Sequence, residues 1–178
     1  SLGPVKVLLD DATLPPLDEL ADTVRAAHRE HRPVAVHCVT RVQLVLALAA
    51  LRDAGTLDGD RIEHASVVPP ELIGEVARLG LCVVTQPHFA TERGDDYRRE
   101  VDADDLGSLY RLRTLFEAGV PVAAGTDAPF GRSDPWRSMT AARDRTTATG
   151  HVLGSGEHLD TREALALYTG HAEAPGRP

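Results

Sequence analysis

The 178 residues carry a formal charge of −8 with no basic cluster, which argues against a nucleic-acid partner, because phosphate binding draws on grouped Lys and Arg. Aromatics are only 4% while Leu, Val and Ala supply most of the apolar share, and the charges are dispersed, so the composition is that of a globular chain with one core rather than a disordered or fibrous one. No run approaches the roughly 20 apolar residues that span a bilayer, and no charged start with an apolar stretch marks a secretory leader, so the expectation is a cytoplasmic protein without a membrane partner.

Val5 to Leu9 is a short β-branched run that predicts a strand, and Leu17 to Glu30 repeats apolar residues at helical spacing (Leu17, Leu20, Ala21, Val24, Ala27). The alternation continues with strand Val34 to Val39, helix Arg41 to Ala54, strand Arg61 to Ala65, helix Pro70 to Leu79 and strand Leu81 to Thr85. Phe89 to Asp104 is charged, holds Gly94 and lacks periodicity, so it reads as a loop after a strand, in the position of a substrate lid. Helix Asp105 to Ala118, strand Pro121 to Ala124, helix Pro135 to Thr147 and a short helix Thr161 to Tyr168 complete the series, with a Pro/Gly-rich, frayed end from Ala172 to Pro178. Cys38 and Cys82 both fall in apolar runs and read as reduced core residues.

Continuous apolar strands separated by helices mean a parallel sheet covered by helices, either doubly wound or part of a (β/α)8 barrel. Each unit is roughly 25–35 residues, the size of a βα repeat, and five fall short of a closed barrel of about 250 residues. Catalysis in parallel α/β folds gathers at the carboxyl ends of strands. Those ends carry Lys6 or Asp10, His37, His64, Gln86 to His88, and Asp127. Two histidines and an aspartate converging from three strands form nitrogen and oxygen donors suited to a divalent ion such as zinc. Lys6, Leu8 and Asp10 alternate onto one face, which is compatible either with an inward lysine or with a solvated charge at a strand edge. Glu63 alternates away from His64 and reads as a supporting residue, paired with Arg61 or a helix. Asp134-Pro135 reads as an N-cap followed by proline at the first helical position. His28, His31, His151, His158 and His171 show no partner pattern and read as surface residues.

The strings Ala35-Val36-His37, Arg61-Ile62-Glu63-His64-Ala65 and Gly125-Thr126-Asp127-Ala128-Pro129 resemble motifs of the amidohydrolase superfamily, most closely its amidohydrolase family 3 branch. The resemblance covers nearly the whole chain and implies the C-terminal half of a TIM-type (β/α)8 barrel over residues 1–178, equivalent to strands 4 to 8. It implies that His37 and His64 are metal ligands and that Asp127 is both ligand and general base. Gly3-Pro4-Val5-Lys6-Val7 resembles the segment whose lysine, in many members, is carboxylated and bridges two metals, which makes Lys6 a candidate carbamate ligand. Thr85-Gln86-Pro87-His88 resembles a substrate-facing strand end, which makes Gln86 and His88 candidate substrate contacts.

The implied activity is metal-dependent hydrolysis of carbon–nitrogen bonds other than peptide bonds, in an amide or N-acyl small molecule, with one or two divalent ions, zinc foremost. The first-strand His-x-His pair, the first three barrel strands and the flanking β-sandwich of that family have no counterpart in these residues. The site is therefore expected to be incomplete, and the open edges of a half barrel favour a homodimer or a complementing N-terminal half. The alternative is a non-catalytic structural or interaction fragment. An open flavodoxin-like nucleotide binder ranks last, because Asp10-Asp11-Ala12-Thr13 puts acid where a phosphate loop needs glycine.

Overall fold

A computed structural model describes residues 2–170 and 175–176 of the chain. The expected frayed segment and His171 therefore lie largely outside the described residues. In chain order the elements are β1 (Val5–Val7), a 3-10 turn (Asp11–Thr13), α1 (Leu17–Arg29), β2 (Val34–Cys38), α2 (Arg41–Ala54), β3 (Arg61–His64), α3 (Pro70–Arg78) and β4 (Cys82–Thr85). They continue with α4 (Phe89–Glu92), α5 (Gly94–Glu100), α6 (Ala103–Leu106), α7 (Leu112–Glu117), β5 (Val122–Ala124), α8 (Pro135–Asp144) and α9 (Thr161–Ala166).

The five strands are all parallel and lie in the order β1-β2-β3-β4-β5. A doubly wound sheet reverses its strand order at a switch point, whereas an unreversed parallel run is an arc of a (β/α)8 barrel. The fold is accordingly a partial barrel. One sheet face (Val34, Val36, Cys38, Ile62, Val83, Val122) packs into the main core with Leu20, Val24, Leu44, Leu48, Leu51 and Leu115 of the helices. Each such fully buried Leu or Val contributes roughly 1.5–3 kcal/mol of transfer free energy. Cys38 and Cys82 are both buried, as expected, and burial pushes the Cys38 thiol up. The Cys82 thiol donates to the Pro175 carbonyl at 2.9 Å.

Local chemistry sets the helix ends. Thr40 caps α2 through its hydroxyl, which accepts from Gln43 N. Asp134 accepts from Trp136 N at 3.0 Å with Pro135 in the first turn of α8, and Asp160 and Glu163 form a reciprocal capping box on α9. α8 stops at Asp144 rather than Thr147 because Arg145 takes a left-handed conformation, φ 50°.

Three expectations are overturned. Phe89 to Asp104 is not a loop: it forms α4, α5 and the start of α6, with Asp95 and Asp96 in the first turn of α5 and Arg98 and Arg99 in its last, the charge order that complements the helix dipole. Asp105 to Ala118 is not one helix. Residues 107–111 leave helical geometry because Leu109 bridges antiparallel to Val67, Ser108 O accepts from Val68 N at 2.9 Å, and Tyr110 N donates to Ser66 O at 2.9 Å. Pairing to a distant segment there overrides the local helical periodicity. His28 is also not a bare surface residue, since its Nε2 meets Asp60 Oδ1 at 3.0 Å.

Candidate functional site

The second face of the sheet carries the polar groups. The register pairs Lys6 with Ala35, Ala35 with Arg61 and His37 with Glu63, so Lys6, His37, Arg61 and Glu63 share the face opposite the helices. Glu63 thus stands on the same face as His37, ion-paired with Arg61 at 2.7 Å as the sequence suggested.

Strict alternation would turn His64, which pairs in register with Cys38, toward the helices. Positive φ at His64 (70°) and Ala65 (45°) ends β3 and lets the His64 side chain join the cavity instead. The rings of His37 and His64 meet edge to face with centroids 4.5 Å apart. Asp127, at the carboxyl end of β5, also has a left-handed backbone, φ 51°, and its carbonyl accepts from Phe130 N at 2.8 Å. Such conformations cost on the order of 1–3 kcal/mol in non-glycine residues and persist where surrounding structure fixes a functional geometry.

Lys6, His37, His64 and Asp127 line one cavity of about 610 Å3, within the range of small-molecule sites. Burial holds the His37 imidazole below its ordinary range, helped by the charges of His64 and Lys6 and opposed by Asp127 and Glu63. A neutral imidazole is the form that donates a lone pair to a metal. His64 Nδ1 lies 2.7 Å from Gln86 Oε1, so with the amide oxygen accepting, Nδ1 carries the proton and Nε2 keeps its lone pair.

Gln86 and His88 are placed differently from the other four. Gln86 is buried and reaches the site through His64. His88 is 1% exposed, with Nδ1 3.2 Å from Ser138 Oγ, and it borders a separate hollow beside Trp136 and Thr140. Its Nε2 faces the Thr126–Gly131 turn, where a β-carbon added to Gly131 would lie 2.3 Å from it. Sequence reasoning did not find the aromatic wall of the cavity, Phe89, Tyr97 and Tyr110, or Arg93, whose guanidinium packs 4.2 Å over the Phe89 ring. Phe89, Arg93 and Tyr97 came from the segment read as a loop and Tyr110 from the segment read as a continuous helix, and the spacing of Phe89, Tyr97 and Val101 was the signal available.

Two imidazoles, a carboxylate and a lysine are chemically suited to a divalent ion. Among the described residues, however, no three His, Cys, Asp or Glu side chains stand together as a ligand set. The two imidazoles, with centroids 4.5 Å apart, are the donors that stand side by side.

The profile of the amidohydrolase family matches residues 4–174. A Bacillus subtilis protein named as an amidohydrolase, YtcJ, is 30% identical over 157 residues, covering 85% of this chain and 30% of that protein. N-substituted formamide deformylase of Arthrobacter pascens is 32% identical over 120 residues, 66% of this chain and 22% of that enzyme. The crystal structure of an uncharacterized metal-dependent hydrolase from Pyrococcus furiosus superposes with a TM-score of 0.76 at 30% identity, over 88% of this chain and 32% of that one. The chain spans less than a third of the length of each relative. Among the described residues no helix is long and apolar enough to cross a membrane.

Proposed function

The chain belongs to the amidohydrolase family, and from that membership we propose that it carries one half of the site of a metal-dependent hydrolase acting on non-peptide carbon–nitrogen bonds of small amides. Its strands correspond to barrel strands 4 to 8, and the other half of the site is supplied by a complementing N-terminal half or a second copy. The observation that supports this reading is the meeting of Lys6, His37, His64 and Asp127 around one cavity at the carboxyl ends of the strands.

In this reading His37 and His64 hold a divalent ion, zinc foremost, with Asp127, and Lys6 is the residue available as a carbamate for a second. Bound there, the ion would supply Lewis-acid chemistry: polarising the scissile carbonyl and lowering the pKa of water toward neutrality. Asp127 takes the proton of the attacking water and returns it to the departing nitrogen. Gln86 keeps the His64 ring in one tautomer and orientation. The outer face of β1 and the exposed Leu8, 71% accessible at the cavity wall, are where the complementing half would seal the site.

Elemental analysis of the zinc-equilibrated chain, after removal of loose metal, tests the reading. About one equivalent per chain is expected, lost in a His64→Ala/Asp127→Ala double variant that keeps the parent circular dichroism. No bound metal in the parent would sink the half-site reading and leave a non-catalytic fragment.

A further inference from the structure

The cavity lining divides into a polar group and an apolar group, with Ser66 and the exposed Arg93 also on its wall. Away from Lys6, His37, His64 and Asp127 its wall is Val67, Phe89, Val101, Leu109 and Tyr110, members or neighbours of a small apolar cluster separate from the main core. The tyrosine hydroxyls bordering this compartment are already engaged. The Tyr97 and Tyr110 hydroxyls lie 3.0 Å apart and satisfy each other, Tyr110 being 2% exposed. The Arg93 guanidinium donates to the Phe130 carbonyl at 2.7 Å. A polar substituent placed against Val67, Leu109 and the paired tyrosines, away from Arg93, would lose water and gain no partner there, which costs about 1–3 kcal/mol, whereas an apolar ring would lose only unfavourable hydration.

The compartment is also built in advance. Arg145, fully buried, donates to the carbonyls of Leu109 (3.0 Å) and Tyr110 (2.9 Å), and Tyr110 N is tied to Ser66 O. A wall fixed before the ligand arrives spares the ordering cost that a closing loop would incur on binding.

We propose that this compartment receives an apolar, ring-bearing substituent of the substrate, so that the chain acts on amides carrying a bulky hydrophobic group next to the scissile bond rather than on small polar amides. The inference rests on the hydrolase reading for the word substrate, but the compartment's preference is measurable without metal.

The experiment uses the 178-residue chain with a chelator present and follows Val and Leu methyl signals by NMR during titration with N-benzylacetamide or N-methylacetamide. The benzyl compound is expected to bind about 10- to 100-fold more tightly, the gain for burying a phenyl-sized group, and to shift the methyls of Val67, Val101 and Leu109. Val101, half-buried at the end of α5, tolerates change: Val101→Arg should abolish the preference and Val101→Ser reduce it, with zinc stoichiometry unchanged. Equal binding of both amides, shifts confined to other methyls, or an undiminished preference in either folded variant would overturn the proposal. A benzyl preference without zinc binding would keep the compartment and sink the half-site reading; zinc binding without a benzyl preference would do the reverse.

Discussion

The main core and the small cluster beside the cavity are both apolar, yet they are held in different ways. The core lies between the sheet and its helices and relies on distributed burial: Leu44, Leu48, Leu51 and Ile62 are each at most 1% exposed and share the load. The cluster of Val67, Phe89, Leu109, Tyr110 and Leu153 is too small for that and is fastened from within by a buried polar residue. Arg145 donates to Leu153 O (2.6 Å), Tyr110 O (2.9 Å) and Leu109 O (3.0 Å), with no part of it exposed. Distributed packing degrades gradually under mutation, whereas a single clamp fails at once. That contrast separates the scaffold of the barrel from the wall that shapes its cavity.

The sharpest way to break the comparison is Arg145→Met. Burial draws this guanidinium down to about 10, against the opposing charge of Glu157, so it remains charged at neutral pH and its bonds to three carbonyls are charge-assisted. Removing it leaves the Leu109 and Leu153 carbonyls buried without that donor, while Tyr110 O keeps its bond from Leu112 N at 2.9 Å, for an expected loss of about 3–5 kcal/mol in urea unfolding. Arg145→Lys should recover only part of it, because one ammonium cannot match the fork geometry. A loss under 1 kcal/mol in the methionine variant would mean that packing alone holds the cluster.

Gly131→Ala probes the strand-end turn that carries Asp127. The new β-carbon would lie 2.6 Å from Thr126 O and 2.8 Å from Phe89 Cε1 as well as 2.3 Å from His88 Nε2, so backbone must move. The expected cost is about 1–3 kcal/mol of overpacking, with zinc binding weakened more than the melting temperature suggests because the Asp127 backbone moves with the turn. Unchanged zinc affinity would detach Asp127 from the half site.

These two residues also mark what the sequence made legible and what it hid. The βα rhythm was readable because β-branched apolar runs buried by helices leave a continuous pattern, and α2 begins and ends where its periodicity and its Thr40 cap put it. The motif residues His37, His64 and Asp127 were readable as strand-end donors. The inward turn of His64 was not, since alternation pointed it toward the helices and only a left-handed backbone redirects it. The break at residues 107–111 depends on a bridge to Val67, some forty positions away, and local periodicity carries no trace of such pairing. Arg145 fell inside the expected helix Pro135 to Thr147 and drew no reading of its own, because nothing adjacent in sequence announces that the carbonyls of Leu109, Tyr110 and Leu153 will surround it.

The smallest expected effect belongs to Asp95, which fastens the other side of the same cluster from the surface. Gly94 lets the start of α5 come against Thr147, where a β-carbon would stand 2.5 Å from its methyl. Asp95 then accepts from Thr147 Oγ1 at 2.7 Å and Thr149 N at 3.0 Å. The bonds from Thr149 and Thr147 hold its carboxyl below the ordinary 3.8. A depressed folded-state pKa means the stabilisation is fully present above the unfolded value and is lost as pH falls through the folded one. Hydrogen exchange at the Thr149 amide should therefore accelerate, relative to its intrinsic rate, below about pH 4, while Leu48 stays protected. Asp95→Asn should show the accelerated exchange at neutral pH and no further acid step. If Leu48 and Thr149 lost protection together, the wall and the core would be one cooperative unit, and the distinction between clamp and packing would not extend to dynamics.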